Sequence, residues 1–388
     1  MKPSPVRVLA AASAILFLSI GARQGFGLLM GPVMADPGLT REQFSLAVAT
    51  QYLVWGAGGP VAGMLADRLG ARATLLAGGV LYAAGLLLAS VARTSSQFWW
   101  AAGLLVGLGL GGASFGVVHA VIARAWPERR RGWALGIAGA ATAAGQLCML
   151  VFTQVTVTRL GWRTALACHA AAVACIVIAA AYLPSGRPSP AARVLVSART
   201  APWRTRAFWA IALPFAASGF QVMATMTHLP AMVRDAGQGS AVALAALVAV
   251  SASAFFGQLL FGRLADRWPR QHVLAAVYAA RALLSLVPPL LHPGAGGLVV
   301  LFVLLGLFWM SPIPLASALT AEVFGTRHLA AVFGSVFLFH QLGGFAGTFL
   351  AASLREATGS YDALWAAAAT LCAIGGIVTA RIAPRARP

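Results

Sequence analysis

Two arginines, Arg23 and Arg281, stand inside long apolar runs, and no acid occupies a comparable place. All nine carboxylates (Asp36, Glu42, Asp67, Glu128, Asp235, Asp266, Glu322, Glu356, Asp362) fall in polar loops or at the ends of apolar runs. A guanidinium in apolar surroundings must find an anion or several hydrogen-bond acceptors, so the chemistry on offer is anion binding. Arg23 lies fifteen residues into a run from 8 to 34, near its middle. At that depth a cation costs roughly 2.5–3.5 kcal/mol, so it is expected to face a wet cavity or a partner. Carbonyls or glutamines at a helix interface are the alternative. A proton-driven exporter of cations usually carries a carboxylate at this depth, and its absence favours an anionic small-molecule substrate.

Histidine is the side chain left to titrate near neutral pH. His340 sits near the middle of its run beside Gln341, His228 nearer the end of another, and His119 in the last third of a third. Gln146 and Gln51 are also intramembrane by position. Each could line a substrate path, or could equally hydrogen-bond a neighbouring helix for about half to one kcal/mol.

Other chemistries are excluded by what the chain lacks. Its one lysine, Lys2, rules out a phosphate-cradling loop of the Walker type, hence ATP. No H-E-x-x-H or G-x-S-x-G occurs, and the four cysteines (Cys148, Cys168, Cys175, Cys372) lie singly in apolar runs without C-x-x-C spacing. No enzyme, metal or cofactor is expected. A net charge of +19 would suggest nucleic acid in a soluble protein, but the cations sit in short loops between apolar runs. Nucleic acid is therefore not an expected partner, whereas the lipid bilayer is.

These residues need membrane helices to position them. The chain is 60% hydrophobic and only 10% charged. A crossing takes about 20 apolar residues, and twelve runs qualify. They are 8–34, 43–66, 73–92, 98–125, 133–157, 162–183, 207–233, 241–262, 273–291, 299–322, 329–353 and 361–382. The expectation is an all-α membrane protein of twelve transmembrane helices in two pseudo-symmetric six-helix bundles, 1–183 and 207–388. A cytoplasmic linker, 184–206, joins them. With the N-terminus inside, 20 of the 28 basic residues fall on the cytoplasmic side and 6 outside, so both termini are expected in the cytoplasm.

The bundles are copies. Gly63-Met64-Leu65-Ala66-Asp67-Arg68 and Gly262-Arg263-Leu264-Ala265-Asp266-Arg267 share G-x-L-A-D-R at a spacing of 199. A spacing of 198 matches Pro32 to Pro230, Gly136 to Gly334, Gly145 to Gly343 and Gly161 to Gly359. Six helices per copy make the repeat parallel, as a two-bundle transporter requires. Six glycines between Gly103 and Gly116 in the fourth run allow close packing or a bend, and Pro312 and Pro314 occupy the matching region of the tenth.

The doubled hairpin and the twelve runs resemble the major facilitator superfamily, whose signature Gly63 to Arg72 reproduces except that Ala71 replaces a basic residue. In the second copy Pro269 replaces the family glycine. A finer similarity, to the bacterial monocarboxylate and oxalate:formate exchanger-like branch, rests on three stretches. They are Ala22-Arg23-Gln24-Gly25-Phe26-Gly27, Thr227-His228-Leu229-Pro230 and His340-Gln341-Leu342-Gly343-Gly344. The anion-binding arginine of that branch's eighth helix has no counterpart in 241–262.

The resemblance implies a monomeric secondary transporter in a bacterial inner (plasma) membrane, moving a small organic anion such as a monocarboxylate by alternating access. An efflux pump or a non-transporting sensor on the same fold is the alternative. It implies that Asp67, Arg68 and Arg72, and less strictly Asp266 and Arg267, form gate latches in which the aspartate meets a neighbouring helix N-terminus. It further implies that the first and seventh helices line the cavity, so Arg23 and Gln221, matched at 198, could hold an anion with help from His340 and Gln341. Arg281, on a peripheral ninth helix and matched to Tyr82, is expected to be structural first and a substrate contact second.

Overall fold

The computed structural model describes residues 4–34, 41–113, 115–185 and 202–382. Most of the linker expected at 184–206 therefore lies outside the described residues. Among the described residues all regular structure is helical. The helices are α1 (Pro5–Gln24), α2 (Phe26–Met34), α3 (Arg41–Leu69), α4 (Ala71–Ser90) and α5 (Ser95–Phe98), the last leading through a π-helical stretch, Trp99–Leu105, into α6 (Val106–Gly112). Then come α7 (Phe115–Ala125), α8 (Glu128–Ala181), α9 (Arg206–Asp235), α10 (Ser240–Arg267), α11 (Arg270–Ser285) and α12 (Val287–Leu291). The chain ends with α13 (Ala295–Trp309), α14 (Pro312–Phe324), α15 (Leu329–Thr358) and α16 (Asp362–Ala380). Among the described residues, ten helical segments are long and apolar enough to cross a membrane.

Local chemistry sets where these helices start and stop. Ser4 caps α1, its hydroxyl accepting from the Arg7 amide, and Pro5 takes the first helical position, where no amide hydrogen is needed. Thr205 caps α9 in the same way through the Phe208 amide. Gly161 interrupts α8 with φ 80°, and Gly359, its partner in the repeat, follows α15 with φ 75°. Both occupy the region that only glycine enters without strain, which explains why glycine stands at the two matched positions. The tenth expected run is interrupted as well, because α13 ends at Trp309 and Pro312 opens α14.

By its contacts the chain divides into two compact units. One comprises Met1–Pro127, Ala141–Leu195 and Thr326–Ser335; the other comprises Glu128–Ala140, Val196–Gly325 and Val336–Pro388. The first turns of α8 thus belong with the second unit, and those of α15 with the first.

In the first unit α6 packs against α3 and α4. A Cβ on Gly112 would lie 2.8 Å from the Gly78 Cα, and one on Gly109 would lie 2.6 Å from the Tyr82 Cα. Since the obstacles are backbone atoms, they cannot swing aside. The glycines of the fourth run therefore buy close helix approach. In the second unit α10 packs on α13, and α16 on α9 and α11. Gly112→Val is expected to destabilise the fold by about 1–3 kcal/mol through overpacking, read as a lower Tm and a smaller monodisperse fraction in detergent.

Candidate functional site

The repeated hairpins end as two carboxylates set against the starts of helices. In the first unit Asp67 Oδ1 lies 2.6 Å from Arg124 Nη2, and the Ala331 amide at the start of α15 donates to Oδ2 at 3.3 Å. Arg124 also donates to the carbonyls of Thr326 at 3.0 Å and Arg327 at 2.7 Å. In the second unit Asp266 accepts from the amides of Gly132 and Trp133, both at 2.7 Å, in the opening turns of α8. Negative charge is favoured at the positive end of a helix, and an amide bond to a carboxylate is stronger than a neutral one. Asp67 and Asp266 are 199 apart and Trp133 and Ala331 are 198 apart, so the two contacts are copies.

The copies differ in their cations. Arg124, unremarked among the loop charges of the sequence, is the partner of Asp67. The position that matches it, 198 residues on, is Glu322. A carboxylate cannot pair with Asp266, and Arg270 takes Glu322 instead at 2.7 Å while donating to the Glu128 carbonyl at 2.8 Å. Arg68 and Arg267 are exposed and Arg72 partly so, and none of the three has a hydrogen bond or ion pair among the described residues. Pro269 caps α11 with φ −55°, where Gly70 before α4 has φ 100°, so the two hairpins turn differently.

Arg23 lies in the last turn of α1, which ends at Gln24 and is capped by Gly25. Only 9% of it is exposed. Its guanidinium carbon lies 3.8 Å from the centre of the Tyr52 ring and 5.4 Å from that of Trp55, both on α3. Stacking on aromatic faces returns about 2 kcal/mol for a desolvated cation, which offsets much but not all of its burial cost. Arg23 has no ion pair among the described residues, and its buried Nε lacks a hydrogen-bond partner.

Arg281 is wholly buried, and each of its three nitrogens has an acceptor. Nε donates to Gln221 Oε1 at 2.5 Å, Nη1 to the Ser218 hydroxyl at 2.7 Å and Nη2 to the Ser218 carbonyl at 3.2 Å. Gln221 gives its amide hydrogen to Ser285. The first copy makes the same tie with a phenol, since Tyr82 donates to the Ser19 carbonyl at 3.0 Å. Tyr82 matches Arg281, and Ser19 matches Ser218, each at 199. Arg281 therefore ties α11 to α9, and both ends of the Gln221 side chain are engaged within the second unit.

The remaining candidates differ in how far their polar atoms are committed. His340 is buried between Phe215 and Phe337, with its Nδ1 3.2 Å from Gln341 Oε1, and Gln341 Nε2 has no partner. His228 Nε2 meets the Thr348 carbonyl at 3.3 Å and Nδ1 the Tyr361 hydroxyl at 3.1 Å. A carbonyl can only accept, so Nε2 carries the hydrogen and Nδ1 accepts from the phenol. Gln51 is buried and donates to the Ala102 carbonyl at 3.0 Å, joining α3 to the π-helical stretch. Gln146 is partly exposed on α8. His119 is wholly buried beside Phe115 and Phe333, and neither ring nitrogen has a hydrogen-bond partner.

Comparison with known proteins gives this helical framework its context. The family description Major Facilitator Superfamily matches residues 12–348 and 244–388. The chain is 29% identical to human monocarboxylate transporter 11 over 98% of its own length and 83% of the relative's. It is 27% identical to bovine monocarboxylate transporter 13 over 85% of the chain and 77% of the relative. Among solved structures the fucose:proton symporter of E. coli superposes with a TM-score of 0.79 at 19% identity, covering 97% of this chain and 98% of the symporter. The human organic anion transporter superposes with a TM-score of 0.74 at 15% identity, covering 97% and 100%. These two sequence relatives are animal proteins, so they lend no support to the bacterial placement. The chain is an integral, multi-pass membrane protein and belongs to the Major Facilitator Superfamily.

Proposed function

We propose that this protein is a secondary active transporter that moves a small organic anion, a monocarboxylate in the first instance, by alternating access, with Arg23 as the counter-ion. The observation that carries the reading is the contrast between the two buried arginines. Arg281 has protein acceptors on all three of its nitrogens, whereas Arg23 keeps a buried, unpartnered Nε and, among the described residues, is met by aromatic faces. A carboxylate offers the acceptors that Arg23 lacks. The names of the relatives, monocarboxylate transporters, agree with that chemistry. Gln221, already held by Arg281 and Ser285, is a positioning residue in this reading.

The helix lengths support twelve spans. At 54 residues α8 would be about 80 Å long if straight, against a hydrocarbon core of about 30 Å, so Gly161 divides it into two crossings. Counting α3 as a further crossing makes twelve, in two repeats, 1–183 and 207–388, joined by the linker. The excess of basic residues at the corresponding loop ends supports cytoplasmic termini, and a single chain contains the whole repeat. Asp67 and Asp266 act as latches on the starts of α15 and α8, the Asp67 latch being the stronger because Arg124 reinforces it.

Two outcomes test the proposal. In proteoliposomes, Arg23→Ala is expected to lower uptake of a labelled monocarboxylate about 30-fold or more while the protein stays folded. Arg281→Ala is expected instead to cost about 1–3 kcal/mol of stability, seen as a lower Tm. Uptake by Arg23→Ala at the wild-type rate contradicts the assignment. For the latch, Asp67→Asn is expected to slow uptake about tenfold with substrate affinity changed less than about twofold, and Asp266→Asn to slow it less.

A further inference from the structure

Four arginines of the second unit surround one cavity, and none of them has an ion-pair or hydrogen-bond partner among the described residues. The cavity, about 460 Å³, is lined by Arg129, Arg130 and Trp133 at the start of α8 and by Arg263, Asp266 and Arg267 at the end of α10. Asp266 forms no ion pair with these arginines among the described residues; its oxygens accept from the amides of Gly132 and Trp133, and its single negative charge leaves the cluster net positive. Four cations facing one committed carboxylate make a strongly anion-attracting pocket.

The surface leading to the pocket indicates what kind of anion fits. On α10, Phe256 and Leu260 are 64% and 48% exposed, and Arg263 and Arg267 are exposed beyond them. The spacing of four, three and four residues places all of them on one stripe of the helix. On α8, Trp133 and Ile137 are partly exposed in the same order, polar end first. An apolar track that ends in paired guanidinium groups, with an indole at the boundary, matches a molecule with a hydrocarbon tail and an anionic head. Soluble anions need no such track.

We propose that this pocket binds the phosphate of an anionic phospholipid from the leaflet at that end of the spans. The head group is held by Arg263 and Arg267 from α10 and Arg129 and Arg130 from α8, and an acyl chain lies along Leu260 and Phe256. Because Asp266 forms one wall, the lipid occupies the place where α10 grips the start of α8, and its binding favours the conformation in which that grip is made.

Native mass spectrometry of the purified full chain, with phosphatidylglycerol and phosphatidylcholine of equal chain length, tests the assignment. Wild type should retain phosphatidylglycerol in preference to phosphatidylcholine. Each arginine near an anionic head group is worth about fivefold in affinity, so Arg263→Gln/Arg267→Gln should weaken phosphatidylglycerol binding about 30-fold. Arg93→Gln/Arg159→Gln, which removes two exposed charges elsewhere, should leave it unchanged. The pair Arg129→Gln/Arg130→Gln provides the same test from α8 if the first variant is poorly folded. Equal retention of the two lipids by wild type overturns the proposal on its own, as does undiminished binding in the variants. Inorganic phosphate raising the Tm as much as phosphatidylglycerol would assign the pocket to a soluble phosphoanion and overturn the lipid reading.

Discussion

A guanidinium held at membrane depth must be given acceptors, and much of this structure can be read as two answers to that demand. Arg281 is answered by the protein itself, through Gln221 and both oxygens of Ser218. Among the described residues Arg23 is answered by the π faces of Tyr52 and Trp55. The first solution produces a structural tie between helices and the second leaves a cation with unspent hydrogen-bonding capacity. On that difference, rather than on the mere presence of arginine in an apolar run, the proposed role of Arg23 rests.

The repeat supplies a common frame and then varies its chemistry. The tie of α4 to α1 in the first copy is a phenol and that of α11 to α9 in the second an arginine, bonded to serines at matched positions. The carboxylates at the helix starts are copied faithfully, yet the residue beside them is Arg124 in one and Glu322 in the other. Reversing one charge reroutes the ion pairing. Arg270 is drawn to Glu322, and Asp266 takes its hydrogen bonds from backbone amides. The asymmetry of the two carboxylate contacts thus follows from the exchange of Arg124 for Glu322.

Much of the fold was legible because it rests on long apolar runs and on a repeat detectable at fixed spacing. The meeting of Asp67 with a helix start was also legible, through the resemblance of its hairpin. The partner of that aspartate was not, since Arg124 stands 57 residues away on another helix and looks like any loop cation. Its mismatch with Glu322 in the repeat was the available signal. Gln221 illustrates the opposite difficulty. Its match to Arg23 suggested a shared ligand, but side-chain direction on a helix is fixed by packing, and its two polar atoms turn to Arg281 and Ser285. The match of Tyr82 to Arg281 is kept in the structure, since each ties its helix to a serine at a matched position although the residue types differ.

The central claim is that Arg23 holds a carboxylate by charge. It is tested most directly by calorimetric titration of the purified protein with a small monocarboxylate and with the uncharged amide of the same acid. The account predicts that the acid binds and that the amide binds at least about 30-fold more weakly, with the difference vanishing in Arg23→Gln. Equal affinity for acid and amide in the wild-type protein would contradict it.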